Sequence, residues 1–132
     1  MNKEIKYTLV AGALFALLSV AIGAFAAHGL KATLDDYALG IIETGARYQM
    51  YHALALILCG VLMASLNLRL RSVSICFTLG MVCFSGSLYL LATTGIKWLA
   101  FITPIGGFLF LAAWTLFIIN IVKHVKSNPS YD

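Results

Sequence analysis

Four long apolar runs, separated by short polar stretches, dominate the chain. The runs cover residues 8–27, 47–66, 72–93 and 98–122. Each comes close to the ~20 apolar residues that a helix needs to cross a bilayer. We therefore predict an all-α integral membrane protein, a four-transmembrane-helix bundle that forms a single membrane domain over residues 1–132.

The stretch between the first two runs has a different pattern. Thr33 and Asp36 fit a helix-start signal, and apolar residues follow at helical spacing. These residues are Leu34, Tyr37, Ala38, Ile41 and Ile42. One apolar stripe predicts a short amphipathic interfacial helix over residues 34–44, and a helical linker packed on the bundle is the alternative. Gly45 would permit a bend before the second span.

Small residues and one proline predict how the later helices pack. Pro104 lies near the start of the fourth run, where it would kink the helix. Gly106 and Gly107 follow it and would allow close contact with a neighbouring helix. Ser85 and Ser87 lie in the third run, where we expect their hydroxyls to bond back to their own helix.

Composition supports a membrane protein and argues against a nucleic-acid partner. The chain is 61% hydrophobic and only 11% charged, whereas a soluble domain is about 25% charged. The net charge of +4 comes from scattered basic residues, without a basic stripe or interleaved aromatic residues. The expected partners are membrane lipids, a second copy of the chain or another membrane protein. Cys59, Cys76 and Cys83 lie in apolar runs and are expected to be buried small hydrophobic residues.

The distribution of Lys and Arg predicts the orientation. One side would hold Lys3, Lys6, Arg69, Arg71, Lys123 and Lys126, and the other Lys31, Arg47 and Lys97. Because cytoplasmic loops carry an excess of Lys and Arg, we expect cytoplasmic termini in a multi-pass protein of the plasma (inner) membrane. The first run is longer than the core of a signal peptide, so we expect it to be retained as a helix.

Polar and aromatic residues collect at the predicted outer ends of the helices. Taken together they predict a ligand-binding pocket formed by His28, Glu43, Arg47, Tyr48, Gln49, His52, Tyr89 and Pro104. The inner half of the bundle has few polar residues within the spans, with Asn120 as the main one. Because no catalytic signature is found, the leading hypothesis is a non-enzymatic structural or interaction protein that binds a lipid headgroup, a small ligand or a partner.

Three alternatives use the same residues. His28 and His52 at similar depth would hold haem or a metal. Glu43, Arg47 and His52 would form a relay in a proton-coupled transporter. The third alternative is a polar belt without a ligand, in which His52 bonds Tyr48 or a backbone carbonyl. No cofactor is identified by any of these patterns.

Four sequence blocks resemble a known family. They are GAFAAHGLK at 23–31, ETGARYQMYHALA at 43–55, GSLYLLA at 86–92 and TPIGG at 103–107. The chain resembles the domain-of-unknown-function 423 family of small bacterial inner-membrane proteins. It departs from the family pattern at Ala26, where glycine is usual, and at Gly29, where alanine is usual. The resemblance implies four membrane helices, an uncleaved first helix and a plasma-membrane location. It implies no activity, substrate or cofactor.

Overall fold

The computed structural model describes residues 2–131, which form four long helices joined by short connections. They are α1 (Lys3–His28), α2 (Asp36–Leu66), α3 (Arg71–Thr94) and α4 (Ile102–Ser127), with short 3₁₀ segments at Lys97–Phe101 and Pro129–Tyr131. Each long helix is apolar and long enough to cross a membrane, and no strand occurs within residues 2–131. The predicted all-α membrane architecture with four spans is therefore confirmed.

The second span begins earlier than the apolar pattern predicted. The stretch 34–44 does not form a separate interfacial helix, because most of it makes the first turns of α2. Asp35 caps this helix, since its side chain accepts a hydrogen bond of 2.8 Å from the backbone N–H of Ala38. Gly45 does not bend the chain. It is buried inside the continuous helix, where the ring of Tyr89 on α3 packs against it.

The apolar stripe at the start of α2 packs on the bundle, as in the linker alternative. A small cluster around the buried residues Ala26, Ile42 and Ala92 joins the start of α2 to the ends of α1 and α3. The partly buried residues Leu34, Ala38 and Ile41 pack against it. Tyr37 is 76% exposed and does not take part. Docking of this stripe explains why the helix continues without a break.

The helices pack in chain order, with α2 and α3 in the middle. α1 packs on α2, α2 on α3, and α3 on α4. The main apolar core lies between the inner faces, and its fully buried side chains include Leu56, Phe77 and Met81. α1 and α4 leave most of their apolar surface uncovered. These outer faces are therefore available to lipid.

The fourth helix starts later than predicted, and its proline lies in its first turn. A 3₁₀ segment covers Lys97–Phe101, and α4 then begins at Ile102. Pro104 thus occupies a position near the helix start, where proline is tolerated, and not the helix interior. Gly106 gives the predicted close contact, because a Cβ atom there would clash with the backbone of Phe84 on α3.

The antiparallel order of the helices gives the bundle two distinct ends. The contact of Gly12 with Ala53 and that of Leu9 with Gly60 show that α1 and α2 run in opposite directions. Both described chain ends and the α2–α3 connection therefore lie together at what we call the terminal end. The α1–α2 and α3–α4 connections lie at the opposite end.

Candidate functional site

Gln49 joins three helices in the interior of the bundle. Its Nε2 donates to the backbone oxygen of Phe15 on α1 over 2.7 Å, and its Oε1 accepts from the Tyr89 hydroxyl on α3, also over 2.7 Å. The side chain is only 4% exposed. Both ends of the amide are thus bonded, as burial in an apolar environment requires.

Two serines tie neighbouring helices to the same part of α2. Ser19 on α1 donates to the backbone oxygen of Ala46 over 2.6 Å, and Ser85 on α3 donates to that of Gly45 over 2.7 Å. The prediction that Ser85 bonds back to its own helix is wrong, because Gly45 brings α2 within reach. Ser87 does donate to a carbonyl of its own helix, as predicted.

His52 is buried between α2 and α4, with partners on both ring nitrogens. Nδ1 lies 2.7 Å from the backbone oxygen of Tyr48, and Trp114 donates its indole N–H to Nε2 over 3.2 Å. A carbonyl only accepts and an indole N–H only donates, so Nδ1 carries the proton. The ring also stacks on Phe110 with centroids 3.6 Å apart. The predicted bond from His52 to a backbone carbonyl is confirmed.

The two histidines proposed as a haem or metal pair lie far apart. The bond between Gln49 and Phe15 sets these residues at one level. His28 lies 13 residues beyond Phe15 on α1, and His52 lies 3 residues beyond Gln49 on α2, which runs in the opposite direction. At 1.5 Å per helical residue, the two histidines are therefore roughly 24 Å apart along the bundle axis. This alternative is therefore wrong. No group of three His, Cys, Asp or Glu side chains suited to a metal occurs within residues 2–131.

A shallow aromatic groove runs along the α4 side of α2. Its volume is about 490 Å³, and it is lined by Tyr48, His52, Phe84, Pro104, Phe110 and Trp114 among others. Its walls are almost entirely apolar, because the nitrogens of His52 are engaged by their partners. The structure does not bring His52 together with Glu43 and Arg47, as a proton relay would require.

A second groove lies between α1 and α2 and opens toward the opposite end. This α1–α2 groove has a volume of about 600 Å³. Five of its lining residues are small, and we call them its floor: Ser19, Gly23, Ala26, Ala27 and Ala46. The larger side chains Leu39, Met50 and Tyr51 line it too. Charged side chains of Lys31, Glu43 and Arg47 line it as well. Glu43 and Arg47 form an ion pair of 2.7 Å, with their side chains 71% and 52% exposed.

The structure divides the predicted outer pocket among separate surfaces. Gln49 and Tyr89 bond inside the bundle, Glu43 and Arg47 line the α1–α2 groove, Tyr48, His52 and Pro104 line the aromatic groove, and His28 is exposed at the end of α1. Sequence reasoning placed these residues by depth alone. A rotation of 100° per residue already separates the face of Gln49 from that of Arg47.

Sequence reasoning also missed partners that carry no motif. Phe15 takes part through its backbone oxygen, which no side-chain pattern reveals. Trp114 lies in the middle of an apolar run, where an indole resembles any other bulky hydrophobic residue. Lys31 was considered only for its contribution to orientation. Its spacing of four residues from Ala27, which itself follows Gly23 by four, was the available signal.

Polar side chains also line the terminal half of the bundle, contrary to prediction. A third groove, of about 610 Å³, runs between α1 and α3 and includes Thr8, Ser74 and Thr78. The prediction considered single residues within each span. It did not consider that hydroxyls from two helices could face the same groove.

The comparisons with known proteins decide the family. A family model described as a protein of unknown function (DUF423) matches residues 22–107. The chain belongs to the DUF423 family. The family predicted from the four sequence blocks is thus confirmed, and the two blocks that line the α1–α2 groove fall within the matched region.

Relatives of this DUF423 chain align along nearly their whole length. A UPF0382 membrane protein of Staphylococcus haemolyticus is 45% identical, with 91% of this chain and 98% of the relative covered. UPF0382 membrane protein YwdK of Bacillus subtilis is 42% identical over 91% and 99%. The UPF0382 inner membrane protein YgdD of Escherichia coli K12 is 36% identical over 96% and 98%. No solved structure matches the chain.

Proposed function

We propose that this DUF423 protein is a non-enzymatic membrane protein that holds a phospholipid in the α1–α2 groove. The observation that carries the proposal is the combination of a small-residue floor with two cations, Lys31 and Arg47, in one groove. The headgroup phosphate would bind the cations, and an acyl chain would lie along the floor.

The charges of the groove complement a phosphate group. Arg47 uses one guanidinium nitrogen for its bond to Glu43 and remains half exposed, so its other N–H groups are free to bind phosphate oxygens. Lys31 adds a second cation. With Glu43 counted, the groove carries one net positive charge, which matches the single negative charge of a phosphodiester.

The shape and depth of the groove suit an amphiphile. Its small floor residues, among them Gly23 and Ala27, leave space between α1 and α2 that an acyl chain can fill. α2 has 31 residues, and at 1.5 Å each it measures about 46 Å, which exceeds the ~30 Å hydrocarbon core. The early turns of α2 that carry Glu43 and Arg47 therefore suit the boundary between hydrocarbon and headgroups.

Native mass spectrometry of the protein with phosphatidylglycerol as the probe tests this proposal. We expect the Lys31→Gln/Arg47→Gln variant to bind one lipid fewer than the unmodified protein. Lys97→Gln, which removes a cation at the same end but outside the groove, should bind as many lipids as the unmodified protein.

Two results would contradict the proposal. One is equal lipid binding by all three proteins. The other is adducts of protein mass in place of lipid, which would identify a partner helix as the occupant. The exposed ion pair contributes only ~0.3–0.5 kcal/mol, so the double variant should unfold at nearly the temperature of the unmodified protein. A change in lipid binding would then not reflect misfolding.

A further inference from the structure

The groove between α1 and α3 at the terminal end has the features of a separate ligand site. This α1–α3 groove is lined on α1 by Asn2, Lys3, Glu4, Tyr7, Thr8 and Ala11. Arg71, Ser74 and Thr78 follow one another on α3 at helical spacing and form the facing wall. Charged groups thus lie at its outer part, and hydroxyl and apolar groups lie deeper. An amphiphile with a charged head has the same arrangement, in which a charged group is followed by apolar groups.

Thr78 supplies the hydroxyl on the deeper part of the α3 wall. It donates to the backbone oxygen of Ser74 over 2.8 Å, so its own hydrogen bond is made within the helix. The Oγ of Ser74 is enclosed beside the thiol of Cys59 and is not accessible from the groove. The deeper wall therefore offers a ligand mainly apolar surface, and the charged groups lie at the mouth.

The helix ends add positive potential at the mouth of the groove. α3 begins at Arg71 without a side-chain cap on its first N–H groups, so these donors have no partner within the helix. α1 begins at Lys3 beside it. Arg69 lines an adjoining depression that also contains Arg71 and Glu4. Within the groove, Lys3, Arg71 and the uncapped N-terminus of α3 therefore face one carboxylate, that of Glu4, which favours an anionic group.

We propose that the α1–α3 groove binds an anionic phospholipid of the leaflet at the terminal end. Arg71 and Lys3 hold the phosphate, and the acyl chain follows the wall toward Leu79. This site is independent of the α1–α2 groove, because it uses different residues at the other end of the bundle. The protein would thus hold one lipid in each leaflet.

Titration of delipidated protein with phosphatidylglycerol, followed by native mass spectrometry, tests the site. We expect Arg71→Gln to weaken binding of one lipid by about tenfold, the scale of one lost charge-assisted hydrogen bond. Lys123→Gln, which removes a cation at the same end but outside the groove, should bind as the unmodified protein does. Equal weakening by both variants would overturn the site, because it would indicate only general attraction between charges.

The proposals for the two grooves can be refuted independently of each other. If only the α1–α2 groove binds lipid, the Lys31→Gln/Arg47→Gln variant loses one lipid while Arg71→Gln retains all. If only the α1–α3 groove binds lipid, the pattern reverses. Phosphatidylcholine serves as the matched probe for headgroup charge. Equal affinity for phosphatidylcholine and phosphatidylglycerol at the α1–α3 groove would overturn the anionic assignment.

Discussion

Trp114 donates its indole N–H to Nε2 of His52 over 3.2 Å and so links the middle turns of α4 and α2. The second ring nitrogen of His52 bonds the backbone oxygen of Tyr48. A neutral histidine with both nitrogens bonded can lie at this depth, because no polar atom of the ring faces hydrocarbon without a partner. The pair therefore fastens the outer helix α4 to the central helix α2.

Trp114→Phe should destabilise the protein by about 1 kcal/mol, the scale of one hydrogen bond between membrane helices. Phenylalanine keeps much of the aromatic packing but leaves Nε2 of His52 without a donor. Thermal or denaturant unfolding in detergent measures the change. Trp98→Phe is the control, because Trp98 is 61% exposed. Equal stability of the two variants would show that the bond contributes nothing.

Gln49 and Tyr89 should show energetic coupling across α2 and α3. Their bond of 2.7 Å is partly buried, and such bonds in membrane proteins contribute about 0.6 kcal/mol on average and up to ~1.7 kcal/mol. A double-mutant cycle of Gln49→Leu and Tyr89→Phe measures the coupling free energy. Gln49→Leu alone should cost more than Tyr89→Phe, since it also removes the bond to Phe15. Strictly additive effects would contradict the predicted coupling.

Two adjacent glycines on α4 should respond oppositely to alanine. A Cβ on Gly106 would clash with the backbone of Phe84, which cannot move aside like a side chain. We expect Gly106→Ala to cost about 2–3 kcal/mol by overpacking. A Cβ on Gly107 meets open space, so Gly107→Ala should be neutral or stabilise by up to ~1 kcal/mol through helix propensity. Similar losses in unfolding free energy for both variants would show that α3 and α4 do not approach at Gly106.

Gly23 offers a way to fill the α1–α2 groove without changing its charges. A Cβ there meets nothing within 4 Å, and the residue lines the groove. Gly23→Leu should therefore fold and exclude the lipid, so native mass spectrometry should show one bound lipid fewer. The matched control is Gly40→Leu, on an exposed position of α2 with equally open surroundings. If Gly23→Leu retained the lipid, its acyl chain would not lie on this floor.

Hydropathy predicted the four spans because apolar length alone decides whether a helix can cross a bilayer. It misplaced the start of α2, because Glu43 and Arg47 interrupt the apolar run although the helix continues through them from Asp36. Starting the span at residue 47 placed His52 about one turn from the helix end. The true start places it more than four turns from that end, which explains the false pairing with His28.

The sequence indicated which residues would line candidate sites, but not how those residues are arranged in space. Arg47 and Gln49 lie two residues apart, yet one lines the α1–α2 groove and the other bonds inside the bundle. Which face of a helix is covered depends on its neighbours. The packing of α2 between α1 and α3 cannot be deduced from the pattern of one segment. Contacts made by backbone oxygens, such as that of Phe15, are not indicated by the identity of the side chain.

Cross-linking with a photoactivatable phospholipid tests the central claim most directly, because it locates the lipid. The probe is phosphatidylglycerol with a diazirine near the start of one acyl chain, incorporated into nanodiscs with the unmodified protein. Mass spectrometry of the digested protein then identifies the labelled residues. The proposal predicts labelling concentrated on the residues that line the α1–α2 groove, among them Gly23, Ala27, Ala46, Met50 and Tyr51. It also predicts loss of that labelling in Gly23→Leu. Labels spread evenly over the exposed faces of α1 and α4 would contradict a bound lipid in this groove.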